Sequence, residues 1–330
     1  MDWIDELNKI TEVKDGIKSE DVRTKVTVFP STYEEVSEVV KFAVSKGLTI
    51  YTFGNNSNHI GAKVDADIGL GTKRLNNVIL ISEEDLYVTA QSGVDFKELA
   101  EMLKKYGLQI PFNYEGSLGG FASTNLPSIF TWFGYPKDWL LGAKIATGLG
   151  EVIKSGGTTT KFSSGYKIWK VLSGSLGYLG IYLELNVRLI PYNDYHFEEV
   201  QDYERAFKDR ALGVIGIRGE GEGKKKRYYA VLRGEGEKVE VPQRFDASIV
   251  TVRGMEMEVM DDVAAETCIA YYGNGLIRCN GVDVEGLRKK GFVVIKERKC
   301  DNNCFGYYYN SLELLKNSLD PHRVFFNIFR

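Results

Sequence analysis

The spacing of apolar positions changes several times along the chain, and each change marks an element. In residues 31–46, Val36, Val39, Val40 and Ala43 recur at intervals of three and four, the stripe of a helix with one buried face. Ser31 with Glu34 predicts a capping box at its start, and Gly47 predicts a C-cap. Strands are predicted on either side, at 26–29 and 48–53, which makes a β-α-β unit. A second cycle has strands near 78–81 and 86–90, then a helix from Asp95, with Glu98 three residues on, to Tyr106 before Gly107. From 181 the period becomes two: Ile181, Leu183, Leu185, Val187 and Leu189 alternate with Tyr182, Glu184, Asn186 and Arg188. Such a pattern predicts a strand with one buried face, closed by Pro191.

Beyond Pro191 the pattern breaks into short, charged, glycine-interrupted strands, predicted at 212–217, 227–232, 238–241 and 249–253. Residues 311–319 return to helical spacing through Leu312, Leu315 and Leu319, followed by Asp320-Pro321 and an aromatic tail that should pack back on the first part. The expected organisation is a first domain of two α/β subdomains over 1–195, a smaller β-rich cap over 196–305, and a returning segment over 306–330.

Composition narrows the function classes. Lys plus Arg number 42 against 45 for Asp plus Glu, a net charge of -3, so no basic field exists to hold a nucleic acid backbone. The acidic start and the lack of a long apolar run predict no integral membrane segment and a cytoplasmic location, peripheral to a membrane only through partners. Glycine is the outlier, at 35 of 330 residues against a usual fraction of roughly 7%.

The glycines gather in segments that suit close approach to a ligand. Gly54-Asn55-Asn56-Ser57-Asn58 follows a strand, and small residues tolerant of left-handed backbone can turn successive N–H groups into one concavity that binds phosphate. An ordinary polar loop would use the same residues. Gly116-Ser117-Leu118-Gly119-Gly120-Phe121-Ala122-Ser123-Thr124-Asn125 sets adjacent glycines among hydroxyls and an amide, which suits a chain passing against a pyrophosphate; a tight turn between core elements is the alternative. Ser173-Gly174-Ser175-Leu176-Gly177-Tyr178-Leu179-Gly180-Ile181 feeds the alternating strand and reads equally as a simple turn.

In this order and spacing the three segments resemble the FAD-binding domain of the FAD-linked oxidase superfamily, the vanillyl-alcohol oxidase/p-cresol methylhydroxylase type. The resemblance covers roughly residues 25–191 and includes Phe29-Pro30-Ser31, Gly156-Gly157, Gly165-Tyr166 and Arg188-Leu189-Ile190-Pro191. Within the superfamily the run through Lys161, Leu172 and Gly180 is most similar to the smaller flavin subunit of glycolate oxidase, and Leu319-Asp320-Pro321 with Asn327 is similar to the closing segment. The resemblance implies an α+β, two-subdomain FAD-binding fold with a small β-rich cap. It implies FAD as cofactor, held by Gly54, Asn55, Asn56, Ser57, Asn58, Ser117, Gly119, Gly120, Ser123, Thr124, Asn125, Gly180 and Ile181. It further implies oxidation of a 2-hydroxy acid such as glycolate or D-lactate, with electrons passing to a partner subunit. That partner would be a larger flavin subunit or an iron-sulfur subunit in a hetero-oligomer. Two alternatives share the fold or its shell: a flavoenzyme of other specificity, such as a UDP-sugar reductase or the flavin subunit of a molybdenum hydroxylase, and a non-catalytic FAD-binding assembly subunit.

Departures from the family pattern shape the rest. The metal-binding histidine segment of related hydroxy-acid dehydrogenases is missing, since the only histidines are His59, His196 and His322. Weak catalysis by the isolated chain follows from that loss. His59 lies two residues beyond the position where relatives attach flavin covalently, so non-covalent FAD and a solvated loop histidine are expected. Catalytic candidates are His322, Arg323 and Arg278, with a surface role after Asp320-Pro321 the stronger expectation for His322, and Arg253, Arg278 and Arg323 are possible forks for a substrate carboxylate. Gly216-Ile217-Arg218-Gly219-Glu220-Gly221 reads as a hairpin with a basic tip at Lys224-Lys225-Lys226-Arg227 rather than a dinucleotide loop. Cys268, Cys279, Cys300 and Cys304 lack paired metal spacing; disulfides or buried thiols are expected and no metal. Of Tyr307, Tyr308 and Tyr309, alternation along a strand would bury at least one.

Overall fold

The computed structural model describes residues 3–55, 59–159, 165–219, 225–242, 244–252, 255–307 and 310–329. The helix Tyr33–Lys46 buries Val36, Val39, Val40 and Ala43 completely and ends at Gly47 in left-handed backbone, φ 65°. Its cap is Thr32 rather than Ser31: Thr32 Oγ1 accepts from Glu35 N at 3.1 Å, while the Glu35 carboxylate accepts from Ser31 N and Oγ. Two overlapping hydroxyl/glutamate pairs compete here, and the chain uses the later one.

This helix covers a four-stranded sheet in the spatial order Val13–Asp15, Val22–Val28, Val64–Gly71, Ile50–Phe53. Val22–Val28 and Ile50–Phe53 both run parallel to Val64–Gly71, which separates them. The central strand escapes sequence patterning because Asp65, Asp67, Gly69 and Gly71 dilute it. Those residues have local reasons: Asp67 accepts from Thr49 N at 2.8 Å, and a Cβ on Gly71 would lie 2.5 Å from the Phe29 ring.

A second sheet, antiparallel throughout, has the order Val78–Ser82, Tyr87–Gln91, Ile181–Arg188, Leu140–Ala146, Val152–Gly156. The helix Phe96–Lys104, capped by Asp95, packs against it through Phe96, Leu99 and Leu103. Ile181–Arg188 is the central strand, and this overturns the expectation of one wet face: Tyr182, Glu184 and Asn186 are buried as well. Each polar member is satisfied internally. Glu184 accepts from Tyr33 Oη at 3.0 Å and from Lys144 Nζ at 2.7 Å, and Asn186 takes Thr89 Oγ1 at 2.9 Å and donates to Gly157 O at 2.7 Å.

From Tyr195 onward the chain forms a seven-stranded antiparallel sheet, ordered Tyr195–Val200, Lys226–Arg233, Gly213–Arg218, Thr267–Tyr271, Leu276–Asn280, Ala247–Val250, Val293–Lys296. Gly213–Arg218 and Lys226–Arg233 are hairpin partners, as expected, while Glu220, Gly221 and Lys224 lie outside the described residues. Residues 238–241 form no strand; Pro242 lacks a donor, and Val239 and Val241 cover the sheet by packing on Phe245 and its neighbours. The architecture is α+β.

The helix Asn310–Leu319 places Leu312, Leu315 and Leu319 on the core of the second sheet, and Phe325 bridges Ile50 of the first. Lys316 Nζ, fully buried, donates to Tyr178 O at 2.6 Å and Phe325 O at 3.0 Å and pairs with Asp320. All four cysteines are in disulfides, Cys268 with Cys279 across adjacent strands and Cys300 with Cys304 across a short loop. Among the described residues no group of His, Cys, Asp or Glu could hold a metal, and no helix is long and apolar enough to cross a membrane. Tyr307 is 39% exposed, and Tyr308 and Tyr309 lie outside the described residues.

Candidate cofactor cleft and adjoining chamber

Three segments distant in sequence meet at one cleft of about 780 Å³, open mouth included. Gly54 and Asn55, where the strand Ile50–Phe53 ends, form one lip; Ser117, Gly119, Gly120, Ser123 and Thr124 form the floor; Gly180 and Ile181 close the far side. Asn56, Ser57 and Asn58 lie outside the described residues. Asn125 does not line the cleft. It ends the helix Leu118–Thr124 in left-handed backbone, φ 51°, and its Oδ1 accepts from Lys137 N at 2.9 Å.

The packing explains the small residues. A Cβ on Gly54 would lie 1.9 Å from Ser117 Oγ, so two of the segments touch only because glycine is there. Ser117 caps the helix Leu118–Thr124, its Oγ accepting from Gly120 N at 3.1 Å. The adjacent glycines differ in their reasons. Gly119 is pressed on Ser92, where a Cβ would lie 2.9 Å from the serine Cβ and its N donates to Ser92 O at 2.7 Å. Gly120 faces Tyr114, whose hydroxyl would be 3.0 Å from a Cβ. Both glycines line the cleft, and each also sits where packing against its own neighbour leaves little space for a side chain.

Pattern reading missed other contributors. Tyr51 and Phe53 wall the cleft and stack, ring centroids 6.2 Å apart. Ser92, Tyr182, Leu176 and Ile328 complete it. Of these, only Leu176 carried a signal: it precedes Gly177, and both have positive φ, 54° and 82°. Ser92 Oγ is buried and, among the described residues, has no hydrogen-bond partner. A buried hydroxyl without a partner is costly unless something not of the chain satisfies it.

His59 is not a solvated loop histidine. Its Nε2 lies 2.9 Å from Ala62 O, a pure acceptor, so Nε2 carries the proton and Nδ1 accepts from Tyr51 Oη at 3.1 Å. Burial holds its pKa below the ordinary 6.5, and burial pushes the Tyr51 hydroxyl up. Both side chains are therefore neutral and mutually engaged at neutral pH.

His59, Ile60 and Tyr114 also line a second chamber of about 670 Å³ beneath the seven-stranded sheet. Here Arg278 is buried, but its fork is taken: Nε and Nη2 donate to Glu297 Oε1 and Oε2 at 2.8 and 2.7 Å, and its guanidinium lies 4.6 Å from the Phe245 ring centroid. This removes the reason for naming it a free substrate fork. His322 takes the surface place expected of it after Asp320-Pro321, and Arg323 is corrected as well. Both are exposed on the turn after the last helix, Arg323 bonded to Glu313 and Asn317, and neither lines cleft or chamber. Asp320 causes this by accepting from Val324 N and Phe325 N, which holds the turn at the start of the Ile50–Phe53 strand, whereas the cleft opens at its end. Arg253 lies outside the described residues.

The donor set suits a dinucleotide cofactor. Hydroxyls and glycine backbone line one part of the cleft, aromatic and aliphatic side chains another, and Ser92 Oγ awaits a partner. Comparison with known proteins agrees. Residues 24–156 match the family model described as FAD binding domain. A D-lactate dehydrogenase of Archaeoglobus fulgidus is 29% identical over 209 residues, 58% of this chain and 47% of that protein. A D-2-hydroxyglutarate dehydrogenase of Xanthomonas citri is 30% identical over 167 residues (48% and 35%), and the glycolate oxidase subunit GlcD of Bacillus subtilis 26% over 171 (50% and 36%). The match therefore spans less than half the length of each of these relatives. A solved structure of alkyldihydroxyacetonephosphate synthase superposes with a TM-score of 0.65 over 92% of this chain and 75% of its own, at 14% identity, which is a likeness of fold. Residues 24–156 thus match an FAD binding domain, within a p-cresol methylhydroxylase-type fold, and FAD is the cofactor.

Proposed function

We propose that the chain holds one FAD non-covalently in this cleft and serves in the oxidation of a 2-hydroxy acid such as glycolate or D-lactate. The observation that carries the cofactor assignment is the convergence of Gly54, Asn55, Ser117, Gly120, Ser123, Thr124, Gly180 and Ile181 on one cleft beside the unpartnered hydroxyl of Ser92. These residues, with Asn56, Ser57 and Asn58 of the same loop, would hold it. When bound, the flavin accepts a hydride from the substrate carbon. The relatives' names support a hydroxy-acid substrate. Residues of the later sheet and its connections, among them Phe245, Tyr271, Arg278 and Glu297, face the first part of the chain across this chamber, and we take 196–305 as the substrate-side cap and 306–330 as the returning segment.

His59 limits what the chain does alone. With Nε2–H on Ala62 O and Nδ1 filled by Tyr51 Oη, the one histidine of the cleft has no free lone pair to take a hydroxyl proton. This favours a subunit role, in a hetero-oligomer with a larger flavin subunit or an iron-sulfur subunit that accepts electrons. We place it in the cytoplasm, peripheral to a membrane through those partners. The two disulfides are unusual for a reducing compartment, so fractionation should be read together with thiol alkylation in cells.

The test is spectroscopic. The purified chain should be yellow and release all colour on acid precipitation; a colourless protein that ignores added FAD would sink the cleft assignment, and colour kept in the pellet would sink the non-covalent one. Anaerobic D-lactate or glycolate should bleach the flavin band slowly with the chain alone and rapidly once copurifying partners are added. Rapid, complete bleaching by the chain alone would overturn the subunit role.

A further inference from the structure

The chamber beside the cleft contains five charged residues, and their pairing is uneven. Arg278 occupies both oxygens of Glu297, to which Ser248 also donates. Glu115 is paired with Lys97 Nζ at 2.9 Å. The chamber's two carboxylates are therefore already neutralised. Arg244 and Arg298 remain, and among the described residues neither has an ion-pair partner.

Both arginines line this one chamber. Ala247 pairs with Lys296 in antiparallel register, and Glu297 N donates to Asp246 O at 2.7 Å, so Arg298 follows directly on Glu297 while Arg244 lies two residues ahead of Asp246 on the neighbouring segment. Ile60, Leu126, Pro127, Ile129 and Phe245 share the lining with them; Arg298 is half-buried and Arg244 exposed, so a charge pair formed at Arg298 is the better shielded of the two. Arg298 also lies close enough to His59 that, besides burial, its charge disfavours the imidazolium. The same chamber contains Asn113, whose buried Oδ1 has no donor among the described residues.

We infer that Arg244 and Arg298 clamp the carboxylate of the substrate in this chamber, that Asn113 Oδ1 accepts from its hydroxyl, and that the ion pair of Arg278 and Glu297 is the rigid wall that positions the clamp. The inference rests on the hydroxy-acid reading and deepens it by naming the specificity residues. A neutral diol of the same size would leave two cations unmatched and is excluded on that ground. Arg278 is a positioning residue, since its fork is already filled.

The experiment uses the full chain loaded with FAD and takes oxalate, an unreactive carboxylate, as the probe, with binding read calorimetrically and from the flavin spectrum. Arg298→Gln and Arg244→Gln should each weaken oxalate about tenfold or more, in line with the loss of a charge-assisted hydrogen bond, and leave FAD content and melting temperature unchanged. Arg298→Lys should recover only part, because an ammonium cannot make two parallel bonds. Arg205→Gln, on an exposed helix elsewhere, is the control and should bind as wild type. Wild-type affinity in both glutamine variants, with D-lactate still bleaching the flavin, would overturn the clamp and leave the hydroxy-acid reading standing. Failure of the wild-type chain to bind oxalate would likewise overturn the clamp, and failure to be bleached by any 2-hydroxy acid, with or without copurifying partners, would overturn both.

Discussion

The cleft and the chamber share His59, Ile60 and Tyr114, yet they are built from different materials. Among the described residues no Lys, Arg, Asp or Glu lines the cleft; its polar character comes from hydroxyls, one amide, the His59 imidazole and glycine backbone. The chamber has Glu115, Arg244, Arg278, Glu297 and Arg298 and is walled in part by the ends of sheet strands. The difference teaches how each region obtains specificity. Backbone donors are held in place by the fold and suit a large cofactor that stays. Charged side chains set on a rigid sheet suit a small anion that must enter and leave, and they are strong only where burial removes competing water.

The sharpest way to break this comparison is to disarm the chamber's wall. Arg278→Ala leaves Glu297 buried without its partner and should cost about 3–5 kcal/mol of stability. Replacing both, as Arg278→Met with Glu297→Leu, should recover most of that in denaturant titration. A single variant within about 1 kcal/mol of wild type would show that the pair is not desolvated. The cleft responds to volume instead. Gly54→Val drives a side chain into Ser117 Oγ, which a Cβ at this position would meet at 1.9 Å, and overpacking of this kind costs about 1–3 kcal/mol. Bound FAD should disappear while circular dichroism stays native; normal flavin content would refute the close contact of the two segments.

Smaller effects sharpen the contrast. Ser92→Ala removes a hydroxyl with no partner in the chain, so the apoprotein should be unchanged or slightly stabilised while FAD affinity falls by up to about tenfold. Equal affinity would show that the hydroxyl serves no ligand. The least effect is expected from pH, through the histidine the two regions share. Burial disfavours protonated His59, so its folded pKa lies below the unfolded 6.5. Its contribution is fully present above that value, and stability is lost as pH falls from 6.5 toward the folded pKa, because the unfolded chain takes the proton first. The melting temperature of His59→Gln should depend less on pH in this window than that of wild type; parallel curves would mean that His59 titrates normally.

Legibility in the sequence follows the same division. The stripe of Val36, Val39, Val40 and Ala43 and the caps Asp95 and Gly47 are local signals, and they lie where periodicity puts them. Glu184 and Asn186 read as wet because alternation reports polarity, not solvent. Both are buried since Tyr33, Lys144, Thr89 and Gly157, distant in sequence, supply their partners. Val64–Gly71 is hidden in the sequence because a glycine needed to admit the Phe29 ring looks the same as a glycine in a turn. Arg278 looks free for a substrate because nothing local announces Glu297 as its partner, 19 residues away.

What the sequence by itself determined is the material of the cofactor cleft. Each run of glycine and hydroxyl reads equally as a turn, and it is the resemblance carried by their order along one chain that implies a pyrophosphate held by backbone. Only the tertiary structure decided the chamber. Charge pairing is a property of distance, so it took the packing of the sheet to show that Arg278 is committed to Glu297, that His322 and Arg323 face outward, and that Arg244 and Arg298 stand beside the cleft with their charge unmatched among the described residues.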